Sequence, residues 1–119
     1  MPPKKPTGLT RIINAAGYSF AGIKTAWKYE AAFRQEIFLM AVLVPTGLYF
    51  GQTRVEKVLL ISSLMVVILT EFLNSAVEAA VDRNGLEYHP MSERAKDLGS
   101  SAVFVSIAFV IIVWALILI

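Results

Sequence analysis

With 119 residues the chain has room for one domain, and 56% hydrophobic residues with a mean hydropathy of +0.63 exceed what an ordinary soluble domain carries. A formal charge of +2, carried by scattered rather than clustered lysines and arginines, excludes nucleic acid as a partner. The absence of cysteine removes disulfides, thiolate catalysis, iron–sulfur clusters and S-acylation together. The class this leaves is an all-α integral membrane protein.

The opening Met1-Pro-Pro-Lys-Lys-Pro is basic, but the apolar stretch of a cleavable signal does not follow it, so no presequence is expected. Leu9, Ile13, Ala16, Phe20, Ile23 and Trp27 then recur at spacings of three and four. They predict an amphipathic helix over residues 7–29 that lies in the membrane interface, with Lys24 and Lys28 toward the headgroups and Gly17 and Gly22 as weak points. A plain membrane anchor accounts for this pattern without any catalytic role.

Three segments follow that suit a bilayer crossing, over residues 31–50, 55–82 and 92–118. Pro45 and Gly47 lie inside the first, where neighbouring helices can satisfy the freed backbone groups, and a kink is expected there. The second ends at Arg83-Asn84-Gly85, where Asn-Gly supplies left-handed residues that stop a helix. The third has no charge from Leu98 onward, which is more than the roughly 20 residues a crossing requires. Ser92 is the expected N-cap of this helix. Lysine and arginine precede the first span in excess, whereas the loop after it offers only Arg54 and Lys57. The N-terminus is therefore expected in the cytoplasm and the C-terminus on the periplasmic side.

A polar stripe interrupts the second span. At 100° per helical residue, Asn74, Glu78 and Asp82 lie about 60°, 20° and 20° from Glu71 around the axis. Counting from Val58 places Glu71 just inside the cytoplasmic boundary, Glu78 at it and Asp82 beyond it. Carboxylates at membrane depth are costly, so a function that needs them is the default reading of Glu71. Grouped carboxylates repel one another unless a cation sits among them. Lys96 and Asp97, after the cytoplasmic loop, and Glu30, at the end of the interfacial helix, are the nearest candidates to join the stripe. Hard carboxylate oxygens of this kind suit magnesium with substrate phosphates. Each residue also has a duller reading. Asn74 serves as interhelical glue, His89 as loop surface, Lys96 and Asp97 as an interfacial pair, and Arg54, Glu56 and Lys57 as markers of the opposite interface.

Several stretches carry a specific resemblance. Thr10-Arg-Ile-Ile, Ala15-Ala-Gly-Tyr-Ser, Glu30-Ala-Ala-Phe-Arg-Gln-Glu, Val58-Leu-Leu-Ile-Ser-Ser, Glu71-x-x-Asn-Ser-Ala-x-Glu-Ala, Val81-Asp-Arg, Glu87-Tyr-His and Arg94-Ala-Lys-Asp together resemble the small bacterial integral-membrane diacylglycerol kinases, from about residue 8 to 118. That resemblance implies phosphorylation of diacylglycerol to phosphatidic acid from MgATP, in phospholipid recycling at the inner membrane, by a homotrimer with sites shared between subunits. Glu71 matches the family's general base, Asn74 a nearby active-site residue, and Glu30 and Glu78 its metal-binding carboxylates. Arg11, Tyr18, Glu30, Glu78, Glu87, Tyr88, His89, Lys96 and Asp97 match its ATP-binding positions. The lipid substrate falls to Arg11, Ala15, Ala16, Gly17, Tyr18, Ser19, Ala31, Ala32, Phe33, Arg34, Gln35, Glu71 and Ser100. Related kinases act on undecaprenol, and a small proton-coupled transporter is the alternative from another class. The sequence contains no P-loop and no glycine-rich kinase loop, so phosphates are left to magnesium and Lys96.

Overall fold

A computed structural model describes residues 4–119; Met1–Pro3, where the basic start opens, lie outside the described residues. The described residues form four helices and no strand: α1 (Gly8–Tyr29), α2 (Ala31–Phe50), α3 (Arg54–Arg83) and α4 (Pro90–Leu118). The last three are each long and apolar enough to cross a membrane. The chain divides into two compact units, one running up to Arg34 and the other comprising Gln35–Ile119.

In the N-terminal unit, α1 stops at Glu30, whose extended backbone (φ −111°, ψ 102°) separates it from α2. The last carbonyls of a helix have no partner within it, and here Arg34 supplies one. Its guanidinium donates to the carbonyls of Trp27 at 2.7 Å and Lys28 at 3.3 Å. The apolar residues Leu9, Ile13, Phe20 and Trp27 stay exposed along the helix, as an interfacial helix requires.

The second unit is built around α3. Thr53 opens that helix with a reciprocal cap: its hydroxyl accepts from the Glu56 N–H at 3.1 Å, and the Glu56 carboxylate accepts from the N–H groups of Thr53 at 3.0 Å and Gln52 at 2.7 Å. Glu56 is thus more than a mark of the interface. Leu60, Ser63, Leu64, Ile68 and Glu71 are the buried residues of α3, and their spacing puts them on one face. Helix α2 runs unbroken through Pro45, and the Thr46 hydroxyl donates to the Val42 carbonyl at 2.7 Å beside that interruption.

Lipid tails are as apolar as leucine, so packing and interhelical hydrogen bonds, rather than escape from water, must hold membrane helices together. Helices α3 and α4 meet antiparallel through a series of polar stations. Trp114 Nε1 donates to the Leu60 carbonyl at 3.1 Å and to Ser63 Oγ at 3.2 Å. Farther along, Thr70 Oγ1 donates to Ser106 Oγ at 3.0 Å. Asn74 then lies against Gly99, and Asp82 pairs with Lys96 at the end.

Two sequence expectations are corrected at the α3–α4 turn. Within this turn Gly85 takes the positive φ, at 137°, while Asn84 remains right-handed at φ −75°. Glycine alone suits the turn, because a β-carbon at position 85 would also run into the Glu87 carboxylate. The N-cap of α4 is His89 rather than Ser92: its Nδ1 accepts from the Met91 N–H at 3.1 Å. The reason is Pro90, whose missing N–H and fixed φ suit the first helical position, so the cap lies three residues earlier.

Candidate active site

The polar stripe of α3 leaves the protein interior in order. Glu71 is 7% exposed, Asn74 and Glu78 are half-buried and Asp82 is exposed. Asn74 Nδ2 donates to Glu78 Oε1 at 3.3 Å, which fixes one oxygen of that carboxylate and leaves the other for a ligand. Asn74 Oδ1 is buried without a hydrogen-bond partner among the described residues, and it points at the Cα of Gly99. At the water end, Lys96 Nζ lies 2.7 Å from Asp82 Oδ1, so the residue at the stripe's exposed end holds the lysine of α4.

The turn and the start of α4 complete this end of the unit. Asp82, Glu87, Tyr88, His89, Lys96 and Asp97 line one open depression of about 360 Å³. Five of the sequence-derived nucleotide positions therefore share one surface. The Tyr88 hydroxyl donates to Glu93 Oε2 at 2.8 Å, which raises the phenol above its ordinary pKa and keeps it a donor. Ser101 and Ser106 turn their hydroxyls back onto carbonyls of their own helix, at 2.8 and 2.6 Å, while Ser100 is exposed.

Glu36 was not singled out by the sequence, although a carboxylate six residues into an apolar span is itself a signal. Its carboxyl lies within hydrogen-bonding reach of the Glu71 carboxyl, and its Oε2 is buried without a partner among the described residues. Beside it opens an apolar groove of about 310 Å³, lined by residues of α2, α3 and α4 such as Leu39, Leu43, Leu64, Val67 and Ile107. Glu36 thus stands where a polar pair meets an apolar channel.

The remaining positions belong to the N-terminal unit. Arg11, Ala15 and Tyr18 line an open depression of about 560 Å³ together with Lys5, Thr7 and Asn14. The Ser19 hydroxyl donates to the Ala15 carbonyl at 2.8 Å, and a β-carbon at Gly17 would meet open space. Glu30 is half-buried at the α1–α2 junction, where its carbonyl accepts from the Arg34 N–H at 3.2 Å. Ala16, Ala31, Ala32 and Gln35 are exposed, and Phe33 is buried. Among the described residues, no three acidic or histidine side chains converge on one point.

Comparison with known proteins gives this geometry a family. A model described as prokaryotic diacylglycerol kinase matches residues 17–118. The chain is 51% identical over 110 residues to a diacylglycerol kinase of Haemophilus influenzae, covering 92% of this chain and 93% of that one. It is 51% identical over 112 residues to that of Escherichia coli, covering 94% and 92%, and 48% identical over 117 residues to that of Pseudomonas aeruginosa, covering 98% and 95%. With three helices able to cross a bilayer, the protein is a bacterial membrane protein. A match of this extent has one consequence: the chain belongs to the prokaryotic diacylglycerol kinase family.

Proposed function

We propose that this protein transfers the γ-phosphoryl group of ATP to the free hydroxyl of diacylglycerol, producing phosphatidic acid and ADP at the cytoplasmic face of the bacterial inner membrane. The observation that carries the reading is the burial of Glu71 within a membrane-spanning helix whose polar face leads to the Lys96 depression. A diacylglycerol anchored by its acyl chains presents its hydroxyl at the depth of Glu71, whereas a nucleotide stays in water.

In the reaction the lipid oxygen forms a bond to the γ-phosphorus as the bond from that phosphorus to the β-bridging oxygen breaks. The hydroxyl proton passes to a Glu71 oxygen, and ADP leaves with the bonding pair. Lys96, released from Asp82, pairs with phosphate oxygens as a point charge. Asn74 keeps Glu78 oriented. Two carboxylates completed by phosphate oxygens form a donor set that fits magnesium, and Glu78, with one oxygen already fixed by Asn74, offers such a hard ligand. Glu30 is the second carboxylate of this reading. The ion, when bound, neutralises charge that develops on the phosphate oxygens.

The reading includes a homotrimer with a cytoplasmic N-terminus and a periplasmic C-terminus. Long apolar runs of α2 and α4 stay exposed in one chain, including Phe38, Val42, Phe104, Ile111 and Ile112, and offer surface to lipid and to other copies. The test is a mixed-micelle assay of the purified protein with MgATP and either diacylglycerol or undecaprenol. Phosphatidic acid as the dominant product supports the reading. Faster phosphorylation of undecaprenol reassigns the substrate, and proton flux in liposomes without a phosphorylated lipid places the protein in the transporter class.

A further inference from the structure

Glu36 is a half-buried carboxylate that the proposed reaction leaves unused. It sits on α2, its carboxyl meets that of Glu71 on α3, and its second oxygen is buried without a partner among the described residues. Leu39, Leu43, Leu64 and Ile68 surround the groove at this point, so water has little access to screen the pair. Two carboxylates in contact under these conditions repel strongly when both are ionised, and a hydrogen bond between them exists only when a proton lies between them.

We propose that Glu36 is a positioning residue for the phosphoryl-transfer reaction: it shares one proton with Glu71 and, as the donor in that hydrogen bond, holds the Glu71 carboxylate in place for the lipid hydroxyl. The inference rests on the reading of Glu71 as the base. With the proton on Glu36, a Glu71 oxygen accepts from it while Glu71 itself stays ionised and able to take up the substrate proton. When the hydroxyl proton has moved to Glu71, both carboxyls are neutral, and one proton must leave the pair before the next turnover. A carboxylate freed of this restraint has rotamers to sample, and a misplacement of about 1 Å in a reacting group costs up to about a hundredfold in rate.

The chemistry distinguishes three substitutions. Leucine at position 36 fills the space but donates nothing. Glutamine keeps a donor toward Glu71 but carries no shareable proton. Aspartate keeps the proton on a shorter arm that withdraws it from Glu71.

The experiment measures kcat and KM for diacylglycerol and MgATP in mixed micelles for Glu36→Leu, Glu36→Gln, Glu36→Asp and Glu71→Gln, with infrared spectra of the same preparations in H2O and D2O. For Glu36→Leu and Glu36→Asp, kcat is expected to fall about a hundredfold, in the range lost when one well-placed donor is removed, while both KM values stay within about threefold. Glu36→Gln is expected to stay within about tenfold of the parent kcat because its amide replaces the donor. The parent protein should show the carbonyl stretch of a protonated carboxylic acid that shifts in D2O, and Glu36→Gln should lose it. If Glu36→Leu keeps the parent kcat while Glu71→Gln is inactive, the base reading stands and this inference falls. If Glu71→Gln is active, the base reading fails and takes the inference with it. Should Glu36→Leu not assemble, the infrared comparison decides: no such band in the parent, or an undiminished band in Glu36→Gln, overturns the shared proton.

Discussion

Asn74 Oδ1 lies against the Cα of Gly99, in space that the β-carbon of any other residue would occupy. The glycine therefore sets how closely α3 and α4 approach at the Asn74–Glu78 pair. Gly99→Ala is expected to destabilise the protein by about 1–3 kcal/mol, the range for overpacking a filled interface. It should also lower kcat by turning Asn74 away from Glu78. Thermal unfolding in detergent checks the first effect. Adding Asn74→Ala to Gly99→Ala should restore the midpoint without restoring turnover.

The Asp82–Lys96 ion pair has a different energetic scale. Both side chains are nearly half exposed, at 45% and 44%, so solvent screens the 2.7 Å contact and the pair adds little to stability. Asp82→Asn is expected to leave the melting temperature and most turnover intact. Lys96→Met, by contrast, should raise KM for MgATP at least about tenfold, the loss of one charge-assisted contact to phosphate. Steady-state kinetics on the two variants separate the anchor from the ligand.

His89 has one role in the structure and a second one only in the proposed function. As the N-cap of α4 it accepts one of that helix's orphan N–H groups, and His89→Ala should cost about 1 kcal/mol for that reason. His89→Asn restores a capping oxygen but not an imidazole. Recovery of the melting temperature with KM for MgATP still raised would show that the ring also serves the nucleotide. Recovery of both would confine His89 to the cap.

At the far end of α3 and α4, Trp114 bridges to Leu60 and Ser63 at a distance from the carboxylates. Trp114→Phe removes the indole donor and both interhelical bonds, while the Leu60 carbonyl still accepts from the Ser63 hydroxyl at 2.8 Å. Interhelical hydrogen bonds in membrane proteins average about 0.6 kcal/mol and reach about 1.7 kcal/mol, so a loss of about 1 kcal/mol is expected. Turnover at a temperature below the transition should be unchanged, which a paired measurement of unfolding and activity would check.

Hydropathy revealed the three long helices because apolar length is a property of sequence alone, and helical phase placed Glu71, Asn74, Glu78 and Asp82 on one face in the order in which they emerge from burial. Thr53-x-x-Glu56 is a legible capping box, and the charges beside it also mark the interface. At α4, Pro90 is a favoured first residue of a helix and moves the cap from Ser92 to His89. The contact between Glu36 and Glu71 was beyond such rules. It depends on how α2 is rotated against α3, and the apolar residues of a helix surrounded by lipid do not fix that rotation. For the same reason only the packing shows that Gly99 accommodates the Asn74 side chain.

The central claim is that a buried carboxylate on α3 accepts the lipid hydroxyl proton. Its most direct test is phosphate transfer from MgATP to diacylglycerol by Glu71→Gln, measured beside the parent protein in mixed micelles, with the oligomeric state of both followed by crosslinking. The account predicts a loss of kcat of at least about a hundredfold, the lower range for removing a general base, with the same assembled species in both preparations. Turnover by Glu71→Gln at the parent rate would contradict it.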